Sequence, residues 1–239
     1  MAQYVYGKNV IQQLLQDNKK IDVLYLMDNQ KDIEQNARKK GIRIEKVDRK
    51  YLDKLSKNGN HQGLVAKIEE YKTVTIDKIL SDIPEEKLGF LVLLDELEDP
   101  HNLGAILRTA DAVGVDGVII KKNNAVGLTS TVAKVSVGAI ETVPVAEVVN
   151  LTQTLKQLKE KGYWVVGTDM KNAQDYRQPK YDTPIVLVIG NEGKGISRLV
   201  KEECDFLVKL PMVGKISSLN ASVACGILMY EVYNKRFPL

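Results

Sequence analysis

Two continuously apolar runs, Phe90-Leu-Val-Leu-Leu and Ile185-Val-Leu-Val-Ile, constrain the fold of this 239-residue chain more than any other feature. A strand with one wetted face alternates apolar and polar residues, whereas a strand covered on both faces is apolar throughout. Strands of the second kind are typical of parallel sheets that have helices on both sides. The two runs therefore predict an α/β domain built on a parallel sheet.

From residue 89 onward, strand and helix patterns alternate as such a domain requires. The predicted elements span 90–94, 102–113, 117–120, 130–138, 142–145, 150–161, 163–167, 185–189, 196–203, 206–209 and 219–235. The last of these is a helix that is apolar almost all round, with small residues at 221, 222 and 224–226. That composition requires burial and close packing. Either Ser217 or Ser218 is expected to cap this helix.

The first third of the chain is predicted to be a separate compact α/β unit. Its helices are expected at 7–15, 30–40 and 48–57, and its strands at 23–27, 42–47 and 64–68. Residues 71–88 contain Asp77, Asp82, Pro84 and a Glu-Glu-Lys run, with a short helix ending near Leu80, and they indicate a boundary. We therefore expect a unit at 1–75, a linker at 76–88 and a larger domain at 89–239.

Charge is distributed unevenly between these parts. Residues 1–75 hold 15 Lys and Arg against 10 Asp and Glu, a net charge of +5, while residues 76–239 hold 19 against 21. A small basic unit joined to a nearly neutral domain suits a nucleic-acid-binding module attached to a catalytic one. The alternative interpretation is that the basic clusters are only solvated surface.

Several classes of protein are disfavoured by composition. No run of 18 apolar residues exists and no basic segment precedes an apolar core at the start, so neither a membrane span nor a secretory signal is expected. Cys204 and Cys225 are too few for a disulfide framework and are expected to be reduced thiols of a cytoplasmic protein. His61 and His101 are too separate to form a metal site, and none is expected.

Three segments carry the candidate chemistry, and each alone has a structural explanation. Arg108 in Asn102-Leu-Gly-Ala-Ile-Leu-Arg108 points away from the apolar side of its helix, as an ordinary exposed arginine would. Gly190-Asn-Glu-Gly-Lys-Gly195 lets backbone amides approach a ligand, but it is neither a P-loop nor a dinucleotide fingerprint. The third segment is Leu210-Pro-Met-Val-Gly-Lys-Ile-Ser-Ser-Leu-Asn220.

In this order, with strands before the first two and helices after all three, the segments resemble the SpoU/TrmH family of RNA 2'-O-ribose methyltransferases. The N-terminal unit, with Tyr6-Gly7-Lys8-Asn9 and His61-Gln62-Gly63, resembles the substrate-binding domain that many members carry. That domain is similar to ribosomal proteins of the L30e type. The resemblance implies a trefoil-knotted SPOUT domain with S-adenosylmethionine as cofactor, an RNA substrate, and a homodimer whose interface includes the helix 219–235.

The resemblance also implies roles for individual residues. The residues that match the family's active site are Arg108, Asn102, Glu192, Ser218 and Asn220. Those that match its cofactor site are Thr168, Gly190, Asn191, Gly195, Leu210, Met212 and Leu219. A guanidinium with a pKa above 12 resists acting as a base, so Arg108 is interpreted as an electrostatic clamp on the attacking oxygen.

The appended N-terminal unit most resembles that of bacterial enzymes that methylate a guanosine in 23S rRNA, the RlmB-like subgroup. Family members that act on tRNA usually extend the catalytic domain with terminal helices instead, and tRNA is the alternative substrate. A non-catalytic RNA-binding or ribosome-assembly factor is a second alternative, disfavoured by the intact motif residues. A nicotinamide-dependent dehydrogenase is disfavoured because the dinucleotide fingerprint is absent.

Overall fold

A computed structural model of the protein describes residues 2–16, 20–69, 71–170, 172–215 and 218–238. The chain divides into two compact units, Met1–Glu70 and Tyr71–Leu239, called unit 1 and unit 2 below. The division lies five residues before the expected end of the first domain at 75. Val74 belongs to unit 2, because its backbone N–H donates a hydrogen bond of 2.9 Å to the carbonyl oxygen of Val145.

Unit 1 is an α/β sandwich around one mixed sheet. Its elements are β1 (Ala2–Tyr6), α1 (Lys8–Gln16), β2 (Ile21–Leu26), α2 (Lys31–Lys39), β3 (Ile44–Lys46), α3 (Arg49–Ser56) and β4 (Leu64–Glu69). The described strands lie in the order β1-β4-β2-β3, with β4 antiparallel to β1 and β2, and β3 parallel to β2. Helices α1 and α2 bury Ile11 and Ile33 against one face of the sheet, and α3 buries Leu52 against the other.

The six elements predicted for unit 1 are present within two residues at each end. Strand β1 was not predicted. Its five residues gain a partner only by pairing with β4 (Leu64–Glu69), which lies far along the chain from β1. Such a long-range pairing leaves no local periodic signal.

Unit 2 has helices on both sides of a parallel sheet. Its elements are α4 (Ile76–Asp82), β5 (Phe90–Leu94), α5 (Pro100–Val113), β6 (Gly117–Lys121), α6 (Ser130–Ser136), α7 (Ala139–Thr142), β7 (Val145–Val148), α8 (Leu151–Glu160), β8 (Trp164–Thr168), β9 (Gln174–Asp175), β10 (Ile185–Ile189), α9 (Arg198–Glu202), β11 (Phe206–Lys209) and α10 (Ala221–Arg236). The described strands lie in the order β7-β6-β5-β10-β8-β11-β9, and their pairings are parallel.

The two continuously apolar runs, β5 and β10, are neighbours at the middle of this sheet, and every one of their residues is buried. One face of the sheet packs with α5, α6, α7 and α10, and the other with α4, α8 and α9. The prediction of an α/β fold with a parallel sheet and a small N-terminal unit is confirmed. The trefoil knot stays a prediction.

Residues 76–88 differ from the expected linker because α4 is part of the packed structure of unit 2. Thr75 caps this helix by accepting a hydrogen bond of 3.2 Å from the N–H of Lys78. Ile79 is 1% exposed, and a Cβ at Gly117 would lie 2.7 Å from its Cδ1 atom. Helix α4 therefore covers the sheet face beside β6.

The predicted strand at 142–145 is wrong, because Thr142 ends α7 and β7 begins at Val145. Pro144 has no N–H to donate to a neighbouring strand, although its carbonyl oxygen accepts from Val118 at 2.9 Å. Helix α7 and the two-residue strand β9 were not predicted. The remaining predicted elements of unit 2 are present with small shifts of their ends.

Helix α10 begins two positions later than a cap at Ser218 would require. Asn220 is its N-cap, and its Oδ1 atom accepts hydrogen bonds from the N–H groups of Ser222 and Val223 at 3.0 and 3.3 Å. The expected cap at Ser218 is therefore wrong, and Ser217 lies outside the described residues. No helix within the described ranges has both the length and the apolar content to cross a membrane.

Candidate active site

The loop after β10 is closed by two backbone hydrogen bonds between Asn191 and Gly195, of 3.0 and 2.8 Å. The Asn191 side chain holds the loop from inside. Its Oδ1 atom accepts from the N–H of Gly193 at 2.9 Å, and its Nδ2 atom donates to the carbonyl oxygen of Glu96 at 3.1 Å. A Cβ at Gly190 would lie 2.2 Å from the carbonyl carbon of Gly195, so the turn requires glycine at that position.

Three polar side chains from the three motifs meet at one point, called the polar centre below: Asn102, Glu192 and Asn220. The Oε1 atom of Glu192 accepts hydrogen bonds from Asn102 Nδ2 at 2.5 Å and from Asn220 Nδ2 at 2.9 Å. Asn220 Nδ2 is also 2.9 Å from Asn102 Oδ1, and the N–H of Ala221 is 3.3 Å from Glu192. Asn102 is 5% exposed, so these contacts satisfy a buried amide.

A cavity of about 770 Å³ lies beside the polar centre, at the carboxyl ends of β8, β10 and β11. The seven residues predicted to bind the cofactor all line it, together with Glu192 and Ser218. Those seven are Thr168, Gly190, Asn191, Gly195, Leu210, Met212 and Leu219. The carboxyl ends of parallel strands are where α/β sheets bind their ligands, and the volume is within the range of small-molecule sites.

Positive charge dominates the lining of this cavity. Its basic residues are Lys194, Lys201, Lys209 and Lys215. Of the acidic residues on the lining, Asp169 forms an ion pair with Lys201, and Glu192 belongs to the polar centre. The mouth of the cavity therefore suits a substrate that carries negative charge.

Asp169 and Lys201 were not singled out from the sequence. Asp169 directly follows β8, and the rule that ligands bind at the carboxyl ends of parallel strands could have identified it. Lys201 lies inside α9, and no pattern in the sequence marks it.

A buried carboxylate supports the glycine loop from behind. Asp95 is 2% exposed, and its Oδ2 atom accepts a hydrogen bond of 2.7 Å from the N–H of Ser197. Its own N–H donates to the carbonyl oxygen of Ile189 at 2.8 Å. Asp95 thus connects the end of β5 to both sides of the loop, a role that its place in a polar loop sequence did not reveal.

The structure does not bring the other two predicted catalytic residues into the polar centre. Ser218 lines the cavity but is exposed, and it forms no hydrogen bond with the residues described. Arg108 is exposed on α5, does not line the cavity, and has no ion pair or hydrogen bond within the described ranges. The prediction that Arg108 points away from the apolar side of its helix is confirmed.

Arg108 lies on the side of α5 that faces an apolar groove. Ala105 and Thr109, three positions before and one after it, line this groove of about 630 Å³ between α5 and α10. Helix α10 also exposes a continuous stripe of large apolar side chains: Val223, Ile227, Tyr230, Tyr233 and Phe237. Exposed apolar patches of this kind mark surfaces that bind a partner.

Both cysteines are free, as expected for reduced thiols. Burial raises the pKa of Cys204 to about 12, with the nearby Asp205 carboxylate as the next cause. Burial also raises the pKa of Cys225. Among the described residues, no three His, Cys, Asp or Glu side chains are grouped closely enough to hold a metal ion.

Two family models match the chain. The SpoU rRNA Methylase family matches residues 89–230, and the RNA 2'-O ribose methyltransferase substrate-binding family matches residues 4–74. A relative from Bacillus subtilis (strain 168), named in the TrmH family of tRNA/rRNA methyltransferases, is 52% identical over 242 residues. The alignment covers 99% of this chain and 97% of the relative.

Solved structures with the same fold bind the cofactor that the motifs imply. The AdoMet-bound rRNA methyltransferase from Sinorhizobium meliloti has a TM-score of 0.66 and 27% identity, covering 100% of this chain and 88% of that one. A TrmH/SpoU tRNA modifying enzyme from A. aeolicus has a TM-score of 0.59 and 31% identity, covering 67% of this chain and 81% of that one.

Proposed function

The chain belongs to the SpoU rRNA methylase family and is an RNA methyltransferase, and on that premise we propose that it methylates the ribose 2'-hydroxyl of a guanosine in 23S rRNA, with S-adenosylmethionine as methyl donor. The observation that carries the proposal is the meeting of all three motifs around one cavity, with Asn102, Glu192 and Asn220 joined at its edge.

The cavity fits S-adenosylmethionine by its composition. Gly190 allows the tight turn that places backbone of the glycine loop on the cavity lining, because a side chain there would collide with the backbone of residue 195. Backbone groups of Leu210, Met212 and Leu219 would hold the cofactor together with Thr168 at the end of β8. When bound, the cofactor supplies a methyl group on a positively charged sulfur, which an oxygen nucleophile can attack directly.

The residues around the cavity then have to position and activate the RNA oxygen. A ribose hydroxyl is a poor nucleophile at neutral pH, so the negative charge that develops on it must be stabilised. Glu192 fixes the amides of Asn102 and Asn220 in one orientation through hydrogen bonds of 2.5 and 2.9 Å. Ser218, which lines the cavity, offers a hydroxyl to the same region.

The charge itself is stabilised by Arg108 in this proposal. Its guanidinium stays protonated and presents a planar fork of donors to an oxygen anion or a phosphate. Arg108 is exposed and outside the cavity of its own subunit, so we assign it to the cavity of a second subunit. The proposed protein is therefore a homodimer whose active sites each combine groups from both chains.

The dimer would form through the exposed apolar stripe of α10 and the groove beside α5. Val223 is 51% exposed and Tyr230 is 47% exposed, which is unfavourable for a helix whose other side is buried. A two-fold axis beside α10 would cover both stripes at once, because the same patch is used on each subunit. It would also carry Arg108 toward the partner.

Ribosomal RNA is favoured over tRNA by the extent of the similarities. The rRNA methyltransferase from S. meliloti matches along 100% of this chain, whereas the tRNA modifying enzyme from A. aeolicus matches 67% of it. The name of the B. subtilis relative includes both RNAs, so tRNA is the second candidate. The complete polar centre argues against a non-catalytic assembly factor. A cytoplasmic location stays a prediction.

Nucleoside mass spectrometry on 23S rRNA and tRNA, from cells with and without the gene, tests this proposal. We expect one 2'-O-methylguanosine to disappear from 23S rRNA and to return with the wild-type gene. If 2'-O-methylguanosine disappears from tRNA alone, tRNA replaces 23S rRNA as the proposed substrate. Unchanged methylation in both RNAs, together with no calorimetric binding of S-adenosylmethionine to the purified full chain, would contradict the function.

A further inference from the structure

Unit 1 has a sheet face with exposed aromatic rings, on the side covered only partly by α3. The rings of Tyr4, Tyr25 and Tyr51 follow one another there, with centroids 6.4 Å apart for the first pair and 5.6 Å for the second. Tyr25 is 7% exposed and forms the base of the group. Tyr4 and Tyr51 are 37% and 42% exposed, so both present ring surface to solvent.

A lysine lies in the middle of the same face. Lys67 is on β4, directly opposite Tyr4 on β1 and Val23 on β2, so its side chain stands beside the exposed ring of Tyr4. It is only partly exposed, and it forms no ion pair with an acidic residue of the described chain. Lys67 therefore presents a partly exposed cation, without a carboxylate partner among the described residues, beside an aromatic surface.

The surroundings of the rings are basic as well. Residues 49–57 of α3 and its C-cap hold four Lys or Arg against one acidic residue, Asp53. That acid is hydrogen-bonded to Nε2 of His61 at 3.0 Å. The carboxylate nearest to Tyr25 across the sheet, Glu45, is paired with Arg43 at 2.7 Å. With the N-cap Asp48 also counted, α3 and its caps still hold four basic residues against two acidic ones, so a net positive charge remains beside the rings.

We propose that Tyr4 and Tyr51 form a stacking surface for unpaired RNA bases, with Lys67 contacting the phosphate of the nucleotide on Tyr4. Exposed tyrosines bordered by lysines match the chemistry of single-stranded RNA, whose bases stack on aromatic rings while cations neutralise its backbone. A duplex does not fit, because its bases are already stacked inside the helix. The inference rests on the proposed function and identifies the part of unit 1 that selects a looped RNA.

Fluorescence anisotropy of the full chain with a labelled single-stranded oligouridylate tests the stacking surface. Tyr4→Ala and Tyr51→Ala should each weaken binding by about five- to a hundredfold, as the loss of one stacked base does. Tyr4→Phe and Tyr51→Phe should bind like the wild type, because the rings remain. Affinity for an oligoadenylate–oligouridylate duplex of the same length should be unchanged in all four variants.

A matched pair of lysines tests the charge. Lys67→Gln should reduce the slope of log affinity against log salt by nearly one, because one phosphate contact is lost. Lys39→Gln is the control, because Lys39 is exposed on α2, which packs on the opposite face of the sheet. This variant should keep the wild-type slope. Equal effects of the two changes would contradict a contact specific to Lys67.

Photocrosslinking of the wild-type protein to an oligouridylate that contains 4-thiouridine tests the same surface without any substitution. Mass spectrometry should locate the crosslink at Tyr4 or Tyr51, and crosslinks confined to other peptides would overturn the proposal. Alanine variants that bind the oligouridylate like the wild type would also overturn it. Such results leave the proposed function intact, because that function is contradicted only by unchanged methylation of both RNAs together with no binding of S-adenosylmethionine to the full chain.

Discussion

Asn102 and Asn220 are 118 positions apart in the chain, yet their side-chain amides are joined by a hydrogen bond of 2.9 Å. Asn102 lies in the first turn of α5, and Asn220 caps α10. One carboxylate oxygen of Glu192 accepts from both. The two amides that are proposed to act in catalysis therefore also fix the two helices to the glycine loop.

Removing Glu192 should cost stability as well as activity. Glu192→Ala leaves the buried Asn102 amide without its acceptor, and we expect the free energy of unfolding to fall by about 1–3 kcal/mol. Urea unfolding of the two proteins measures the difference. Glu202→Ala, which removes an exposed acid of α9 paired with Arg198, is the control and should change stability by less than about 0.5 kcal/mol. Equal changes in the free energy of unfolding for the two variants would show that the hydrogen bonds of Glu192 do not stabilise the fold.

Arg108→Ala should separate chemistry from binding. Arg108 is exposed and forms no hydrogen bond or ion pair with the described residues, so the variant should fold and bind S-adenosylmethionine like the wild type. Methyl transfer should fall by roughly a hundredfold or more, as the loss of one electrostatic stabiliser does. Arg108→Lys should also be slow, because a point charge lacks the planar fork. Arg198→Ala is the matched control on α9, and near-normal turnover by Arg108→Ala would exclude the residue from the mechanism.

A charge introduced by substitution into the exposed apolar stripe of α10 should dissociate the proposed dimer into monomers. Ile227→Asp and Tyr230→Asp each bury a carboxylate in the expected interface, and light scattering at micromolar concentration should report monomers. Because Arg108 is assigned to the partner's cavity, these monomers should also lose methyl transfer. Val149→Asp, at a site that is 71% exposed and outside α10, should remain dimeric and active. A wild-type monomer would contradict the interface.

Removal of unit 1 should weaken RNA binding without affecting the cofactor. The deletion has to end at residue 70, because a longer one removes the Val74 hydrogen bond and the Thr75 cap of α4. The remaining chain should bind S-adenosylmethionine with unchanged affinity in calorimetry. Its affinity for a 23S rRNA fragment should fall and depend less on salt. Full activity and specificity of the shortened chain would show that unit 1 is not needed to bind the RNA substrate.

The thiol of Cys204 should react slowly in the folded protein. Its pKa is raised from 9.0 to about 12, so the reactive thiolate is scarce at pH 8. Between these two values the folded state keeps a proton that the unfolded state has lost, so this thiol reduces stability as pH rises through that window. Alkylation by iodoacetamide, followed by mass spectrometry, should accelerate from pH 8 to pH 11. Equal rates for folded and urea-unfolded protein would contradict the burial.

The sequence predicted the sheet of unit 2 through local apolar patterns, and it predicted the residues around the cavity through the resemblance of three motifs to the SpoU/TrmH family. Buried strands are continuously apolar, and residues 190–195 form a compact motif. Glycine is required at position 190, because a Cβ there would lie 2.2 Å from the carbonyl carbon of Gly195. Three further features depend on contacts that are distant in sequence. Strand β1 gains its partner from residues 64–69, α4 is covered only because Ile79 fits against Gly117, and Lys201 reaches Asp169 across 32 positions.

The position of Asn220 in the chain determines how late in synthesis the polar centre can be completed. Strands β5, β10 and β11 are all synthesised before residue 210, but the polar centre lacks one of its three members until Asn220 and the turns of α10 that follow it have left the ribosome. Contacts between residues so distant in sequence also form slowly after synthesis. A growing chain can therefore assemble most of the sheet before the proposed catalytic centre exists, and that centre is completed only after Asn220 and the first turns of α10 have been synthesised.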